Sequence, residues 1–196
     1  RAENAAPLLL RVAFVDNRAR LGGGAVFWRV RGPVLRDCSF RGNTAGLYGP
    51  DQASDQQSLR FLGTLPHSVV PGDILTPALE VAAVDAYGQV VTTLDDLEVS
   101  LEAFLPSGPR ISPGGITGDS TSILTKGKTE FSAASLHAPP GSEAVVRAVL
   151  LEHELSTPSL LIEVRLCEPG QELGAGGLSC DRCLPGFFSD SGGGRC

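Results

Sequence analysis

The chain has no apolar run of about 18 residues, the length a membrane-crossing helix needs, so no transmembrane helix is expected within it. It has no Gly-x-Ser-x-Gly, no HExxH and no P-loop, which removes the common hydrolase, zinc-protease and nucleotide-dependent readings. Lysine is nearly absent, with Lys126 and Lys128 the only two. Neither a helical basic stripe nor aromatic-basic interleaving occurs, and a nucleic-acid partner is not expected. Asn4, Asn17 and Asn43 all lack a hydroxyl two positions on, so no N-glycosylation acceptor is present. No stretch sustains apolar spacing of three and four residues, and helix is the minority expectation.

What is present points to strands. Among 196 residues are 24 Gly and 14 Pro, and several segments alternate apolar and polar side chains, so the expected class is all-β with one to three modules. The sequence opens at Arg1 and closes on Cys196 without a signal-like segment. It reads as a piece of something longer, with further coils before Arg1 and any leader or anchor outside this window. The net charge is −6, yet residues 1–57 hold eight Arg against five acids, while residues 58–196 hold eight basic residues against seventeen acids. A basic first segment could meet an acidic partner or polysaccharide; solvated arginines are the plainer explanation.

One motif occurs twice. Phe14-Val15-Asp16-Asn17-Arg18-Ala19 returns as Phe40-Arg41-Gly42-Asn43-Thr44-Ala45, 26 residues later, and Leu21 and Gly23 fall on Leu47 and Gly49 at the same offset. That period suits one coil of a β-solenoid, each coil about 4.8 Å above the last, with an ordinary β-meander as the alternative. Phe14 and Phe40 are then expected to stack inside. Asn17 and Asn43 are placed at a corner, where an amide can bond the backbone of its own or the next coil. Gly22, Gly23 and Gly24 are expected to turn the chain at positive φ before a strand restarts at Ala25 to Trp28. Gly49-Pro50-Asp51, whose proline cannot donate to a ladder, is the expected point where the stack stops or leaves its path.

The pairing of FxxN (Phe14 to Asn17, Phe40 to Asn43) with GGAV (Gly23 to Val26, including Gly24 and Ala25) resembles the repeat of polymorphic outer membrane proteins, over roughly residues 8–57. The resemblance implies coils of a right-handed parallel β-helix over residues 1–57, on a secreted or surface-displayed protein.

Residues 58–165 lose that pattern. In Leu97 to Phe104 the apolar Leu97, Val99, Leu101 and Ala103 alternate with Glu98, Ser100 and Glu102, as in a strand with one wet face, and Leu160, Ile162, Val164 and Leu166 repeat the arrangement. Further strands are expected near 59–65, 77–85, 128–136 and 143–151, which suits a sandwich of about seven strands. Pro71-Gly72-Asp73, Val81 to Asp85 and Tyr87-Gly88-Gln89-Val90 resemble immunoglobulin-like modules of surface proteins. Asp85, Asp95 and Asp96 could form a calcium site, but they lack regular ligand spacing and read as turn-forming or exposed acids.

Residues 166–196 hold four of the five cysteines, spaced C-x12-C-x2-C-x12-C. With Cys-x-Pro-Gly used twice, at Cys167 and Cys183, this stretch resembles the ephrin-receptor-like and tumour-necrosis-factor-receptor-like repeats of extracellular proteins. So short a patch cannot bury enough apolar surface alone, and disulfides are the expected remedy. Pairing Cys167 with Cys180 and Cys183 with Cys196 closes two small Gly-rich loops. Four cysteines permit three connectivities, and an array continuing past Cys196 could pair differently. Zinc is a rival for the Cys-x-x-Cys, but zinc ribbons need two such knuckles. Cys38, two residues before Phe40, is expected to be a buried reduced filler, or to bridge to a stacking cysteine outside this stretch.

A polysaccharide-active β-helix enzyme would need clustered carboxylates. Asp16, Asp37, Asp51 and Asp55 are available, but Asp16 and Asp37 occupy different places in the repeat and cannot pair vertically. His67, His137 and His153 show no metal-ligand pattern and read as surface histidines. No catalytic residue, cofactor or metal is expected. The expectation is a structural, non-catalytic module of a cell-surface or filament-forming protein. Its partners would be neighbouring modules of its own chain, other surface proteins or further copies of itself, and it would meet a membrane only through regions outside this stretch. The module order, the Ala, Arg and Gly richness and the scarcity of Lys resemble cell-surface and flagellar-hair (mastigoneme-type) proteins of algae and other protists. The alternative is a carbohydrate-binding or adhesion module, with Trp28, Arg29, Arg31 and Tyr48 on its binding face.

Overall fold

The computed structural model describes residues 6–107, 111, 115–190, 194 and 196. Nearly every regular element among them is a short strand, the exception being a 3-10 turn at Leu151–His153, so the protein is all-β. No helix among the described residues is long and apolar enough to cross a membrane. The chain forms two compact units: one contains the residues up to Ser58 with Ala82–Asp96 and Leu124–Lys128, the other Leu59–Val81, Leu97–Ile123 and Thr129–Cys196.

In the first unit the period of 26 becomes two stacked coils of chain. Leu8–Leu10 lies on Val34–Arg36, Ala13–Val15 on Ser39–Arg41, Arg18–Ala19 on Thr44–Ala45 and Val26–Trp28 on Gln52–Ser54, all parallel. Strands of two or three residues are too short to persist singly, so the coil is held by its ladders and corners. The Phe14 and Phe40 rings stack with centroids 4.9 Å apart and an interplanar angle of 7°, matching the spacing between neighbouring strands. Corners recur in register in the left-handed region: Arg11 over Asp37, Asp16 over Gly42, and Gly23 over Gly49. Asp and Gly suit that conformation, whereas Arg11 carries about 1 kcal/mol of strain there.

The glycine run works differently from the sequence expectation. Only Gly23 of the three has positive φ, at 66°. Gly22 is needed for space, since a Cβ there would lie 2.9 Å from the Tyr48 ring, and a Cβ on Gly24 would strike the carbonyls of Pro50 and Thr44. The stack also does not end at Pro50. Ala25 and Val26 both donate to the Asp51 carbonyl at 3.0 Å, and Asp55 donates to the Trp28 carbonyl at 3.1 Å. Pro50 lacks the N–H that its counterpart Gly24 donates to the Gly49 carbonyl, but the ladder between these two coils runs through the other groups named above.

The second coil is closed by the segment that follows Val84. Asp85 is 3% exposed, and its carboxylate accepts from the Ser54, Tyr87 and Gln89 backbone N–H groups and from Gln89 Nε2. Gln89 Nε2 also donates to the Gln52 carbonyl at 2.8 Å. Val91 and Leu94 then pack on Tyr48 and Ala53 as a small apolar cluster.

The second unit holds most of the core. A six-stranded sheet runs in the order Ser68–Val69, Leu160–Val164, Glu143–Leu150, Glu98–Phe104 and Thr121–Ile123, with Leu155–Ser156 also on Glu143–Leu150. Val99, Leu101 and Ala103 face inward from Glu98–Phe104, and Ala144, Val146, Ala148 and Leu150 from its antiparallel neighbour. On the outer face Arg147 reaches Glu102 Oε2 through Nε and Nη2, at 3.0 and 2.9 Å, and its guanidinium lies 4.6 Å from the Phe104 ring centroid. Lys128–Phe131, Leu79–Val84 and Ser58–Leu62 form a three-stranded sheet.

Two strand expectations need correction. The stretch 128–136 is two strands, Lys128–Phe131 and Ala134–Leu136, because the inward positions slip from Phe131 to Ala134. Asp119 holds the slip through Ala133 N at 3.0 Å and Ser132 Oγ at 3.3 Å. Leu166 is 59% exposed instead of continuing the inward series, since its strand ends at Val164.

The last segment is stapled by Cys167–Cys180 and Cys183–Cys196, with Cα separations of 5.4 and 5.5 Å. Between the cystines, Gln171–Leu173 pairs antiparallel with Cys180–Arg182. Cys180 N donates to the Pro71 carbonyl at 2.9 Å, tying the segment to the rest of its unit.

Candidate functional site

The ladder residues form one set of specific contacts. Asn43, 7% exposed, accepts from Asn17 N at 3.0 Å and Asn17 Nδ2 at 2.9 Å through Oδ1, and donates from Nδ2 to the Phe14 carbonyl and Asp51 Oδ1. Asn17, its counterpart one coil away, is exposed. Asn43→Ala strands two backbone groups of the other coil and is expected to lower stability by about 2 kcal/mol, against about 1 kcal/mol for Asn17→Ala, as read by urea unfolding. Equal effects would mean that Asn43 does not bind the coils together.

A groove of about 430 Å³ opens on the same unit. It includes one register position of the two coils, glycine at 22 and tyrosine at 48, bridged in parallel. The Tyr48 ring, 9% exposed, fills the space that Gly22 leaves and walls the groove with Leu21 and Phe27. Phe27 is in register with Ala53, which is fully buried, yet Phe27 itself is 43% exposed. Arg29, Asp55 and Thr93 complete the lining. Arg29 Nε lies 3.7 Å from Asp55 Oδ2, and both side chains keep large exposed surfaces.

Tyr48 donates its hydroxyl to the Ser54 carbonyl at 2.9 Å. Burial, and then the Asp55 and Asp85 carboxylates, push its pKa above the ordinary 10.0, while a hydrogen bond with Thr93 opposes the shift. The folded state therefore keeps the phenol proton at pH values where the unfolded chain releases it. Stability is full below pH 10 and falls as pH rises past that value. Tyr48→Phe is expected to flatten this alkaline loss in pH-dependent thermal melts; an identical profile would contradict the linkage.

The residues considered from sequence are mostly dispersed. Trp28 Nε1 donates to Tyr87 Oη at 3.0 Å, with the rings edge to face at 6.4 Å, and Tyr48 is buried. The set Trp28, Arg29, Arg31 and Tyr48 is thus not one exposed face; of the four, only Arg29 and Tyr48 line the groove. Asp16 sits at a corner against Gly42, Asp37 faces Arg11 at 4.0 Å, and Asp51 is bonded to Asn43. Asp95 accepts from Lys126 N at 2.6 Å. Among the described residues no three Asp, Glu, His or Cys side chains are grouped so as to hold a metal ion. His67 and His153 are exposed, and His137, half-buried, shares a hydrogen bond of 2.9 Å with Thr117. Cys38 is a partly exposed thiol beside the Leu9 and Arg36 carbonyls, not a fully buried filler. Of the groove residues, Asp55 was considered from sequence only as an available carboxylate, Phe27 only as part of a strand, and Thr93 not at all; the glycine facing tyrosine at the period of 26 is the signal that could have pointed here.

In comparisons with known proteins, no family model matches the chain, and no curated protein and no solved structure does so.

Proposed function

We propose that the chain is a structural, non-catalytic part of a larger extracellular or cell-surface protein, serving as a stalk, scaffold or filament module. In this reading the two coils belong to a right-handed parallel β-helix, residues 58–165 are an immunoglobulin-like sandwich, and residues 166–196 are a cysteine-rich repeat. The observation that carries it is how the specific side chains are spent: Phe14 stacks on Phe40, and Asn17 and Asn43 bond coil to coil. Asp85 likewise ties the next segment to Ser54. Contacts of this kind make each coil a support for its neighbour, the property a spacer needs. Two cystines in so small a segment accord with an oxidising compartment.

The carbohydrate-binding or adhesion reading stands second and draws on the groove beside Tyr48. Antibodies raised against the folded chain should label intact, non-permeabilised cells of its source. Labelling only after permeabilisation would contradict the surface-module reading.

A further inference from the structure

We infer that the groove beside Tyr48 binds a single pyranose ring of a neutral saccharide. This rests on the second, ligand-binding reading and is independent of the spacer role. At about 430 Å³ the groove is in the size range of small-molecule sites, about 300–1,000 Å³. Its lining mixes apolar and charged side chains. Phe27, 43% exposed, and Leu21, 56% exposed, offer apolar surface at positions where burial would normally be expected. A pyranose has one face of C–H bonds with slight positive charge, which suits the negative face of an aromatic ring.

Arg29 and Asp55 are the charged members of that lining. Their closest approach of 3.7 Å exceeds a hydrogen bond, so the guanidinium still has donors and the carboxylate still has acceptors to offer a ligand. Vicinal hydroxyls, each both donor and acceptor, match such a side-by-side pair. The charges also select against ionic ligands. An anion drawn to Arg29 meets Asp55, and a cation drawn to Asp55 meets Arg29, whereas a neutral polyol meets neither penalty. Gly22 lets the Tyr48 ring take its place in the lining, because any side chain there would contend with that ring at 2.9 Å.

The test is saturation-transfer NMR on the folded chain with the methyl pyranosides of glucose, galactose and mannose, and with methyl phosphate and tetramethylammonium, both of which carry C–H protons, as ionic probes. Transfer to the ring C–H protons of at least one pyranoside is expected, with none to the ionic probes. Phe27→Ala and Arg29→Ala should each weaken binding about tenfold. Arg29 is largely exposed, so its variant retains the fold, and the melting temperature of both variants is recorded alongside. The inference is overturned if no pyranoside receives saturation, if either variant binds as well as the parent, or if an ionic probe binds in place of the sugar. None of those outcomes touches surface labelling of the chain, so failure here is separable from failure of the spacer reading.

Discussion

Replacing Asp85 with alanine is expected to cost roughly 4 kcal/mol, the largest effect of any single substitution in the first unit. The carboxylate is almost wholly buried and accepts from three backbone N–H groups and one side-chain amide. Alanine removes every acceptor at once and leaves the buried Ser54 N–H and the partly buried Tyr87 and Gln89 N–H groups without this partner, each stranded donor costing about 1–3 kcal/mol with the Ser54 group at the upper end. Asp85→Asn separates the two halves of the interaction. One amide oxygen can still receive Tyr87 and Gln89, but the amide nitrogen then meets two donors, Ser54 N and Gln89 Nε2. A loss of about 2 kcal/mol is expected for this variant. Urea unfolding followed through Trp28 fluorescence reports on the coils directly, because Trp28 is held by Tyr87, two residues beyond Asp85. A loss below about 1 kcal/mol for Asp85→Ala would show that the segment after Val84 does not secure the second coil.

The second large effect is in the cystine-stapled segment. Cys167→Ser with Cys180→Ser opens a loop of 13 residues, for which chain entropy alone gives a loss of about 3 kcal/mol. The segment has little else to lose before it unfolds. Its apolar residues are largely exposed, with Leu184 at 70%, Phe187 at 61% and Phe188 at 69%. It is expected to unfold locally while the six-stranded sheet remains intact, since that sheet owes its core to Val99, Val146, Ile162 and their neighbours. Amide hydrogen exchange should show fast exchange over Gln171–Arg182 and unchanged protection over Glu143–Leu150. Retained protection at Gln171–Arg182 would mean the strand pairing there is self-sufficient.

The repeat was legible because a ladder demands like residues at like positions: Phe14 on Phe40 and Asn17 on Asn43 are chemistry written twice. The all-β class followed from alternation as plain as that of Val99, Leu101 and Ala103. Single residues whose role depends on distant partners were opaque. Asp85 looks like any turn aspartate, and its acceptor role for Ser54 spans 31 residues that no local pattern connects. Sheet order was equally hidden, because Glu98–Phe104 and Glu143–Leu150 find each other through register alone. Corner chemistry was half visible: glycine announced Gly23 and Gly49, but Arg11 at φ 55° carries no sequence mark of a left-handed corner. The groove was missed for the reason that makes it interesting. Its lining joins residues far apart in the chain, from Leu21 to Thr93, with a Phe27 whose 43% exposure no local pattern shows.

The measurement that bears most directly on the central claim is peptide mass mapping of the native protein under non-reducing conditions. The account predicts linked Cys167/Cys180 and Cys183/Cys196 peptides, with Cys38 recovered as a thiol. Four unlinked thiols in the last segment would contradict it, since a module built for an oxidising exterior cannot carry its staples reduced.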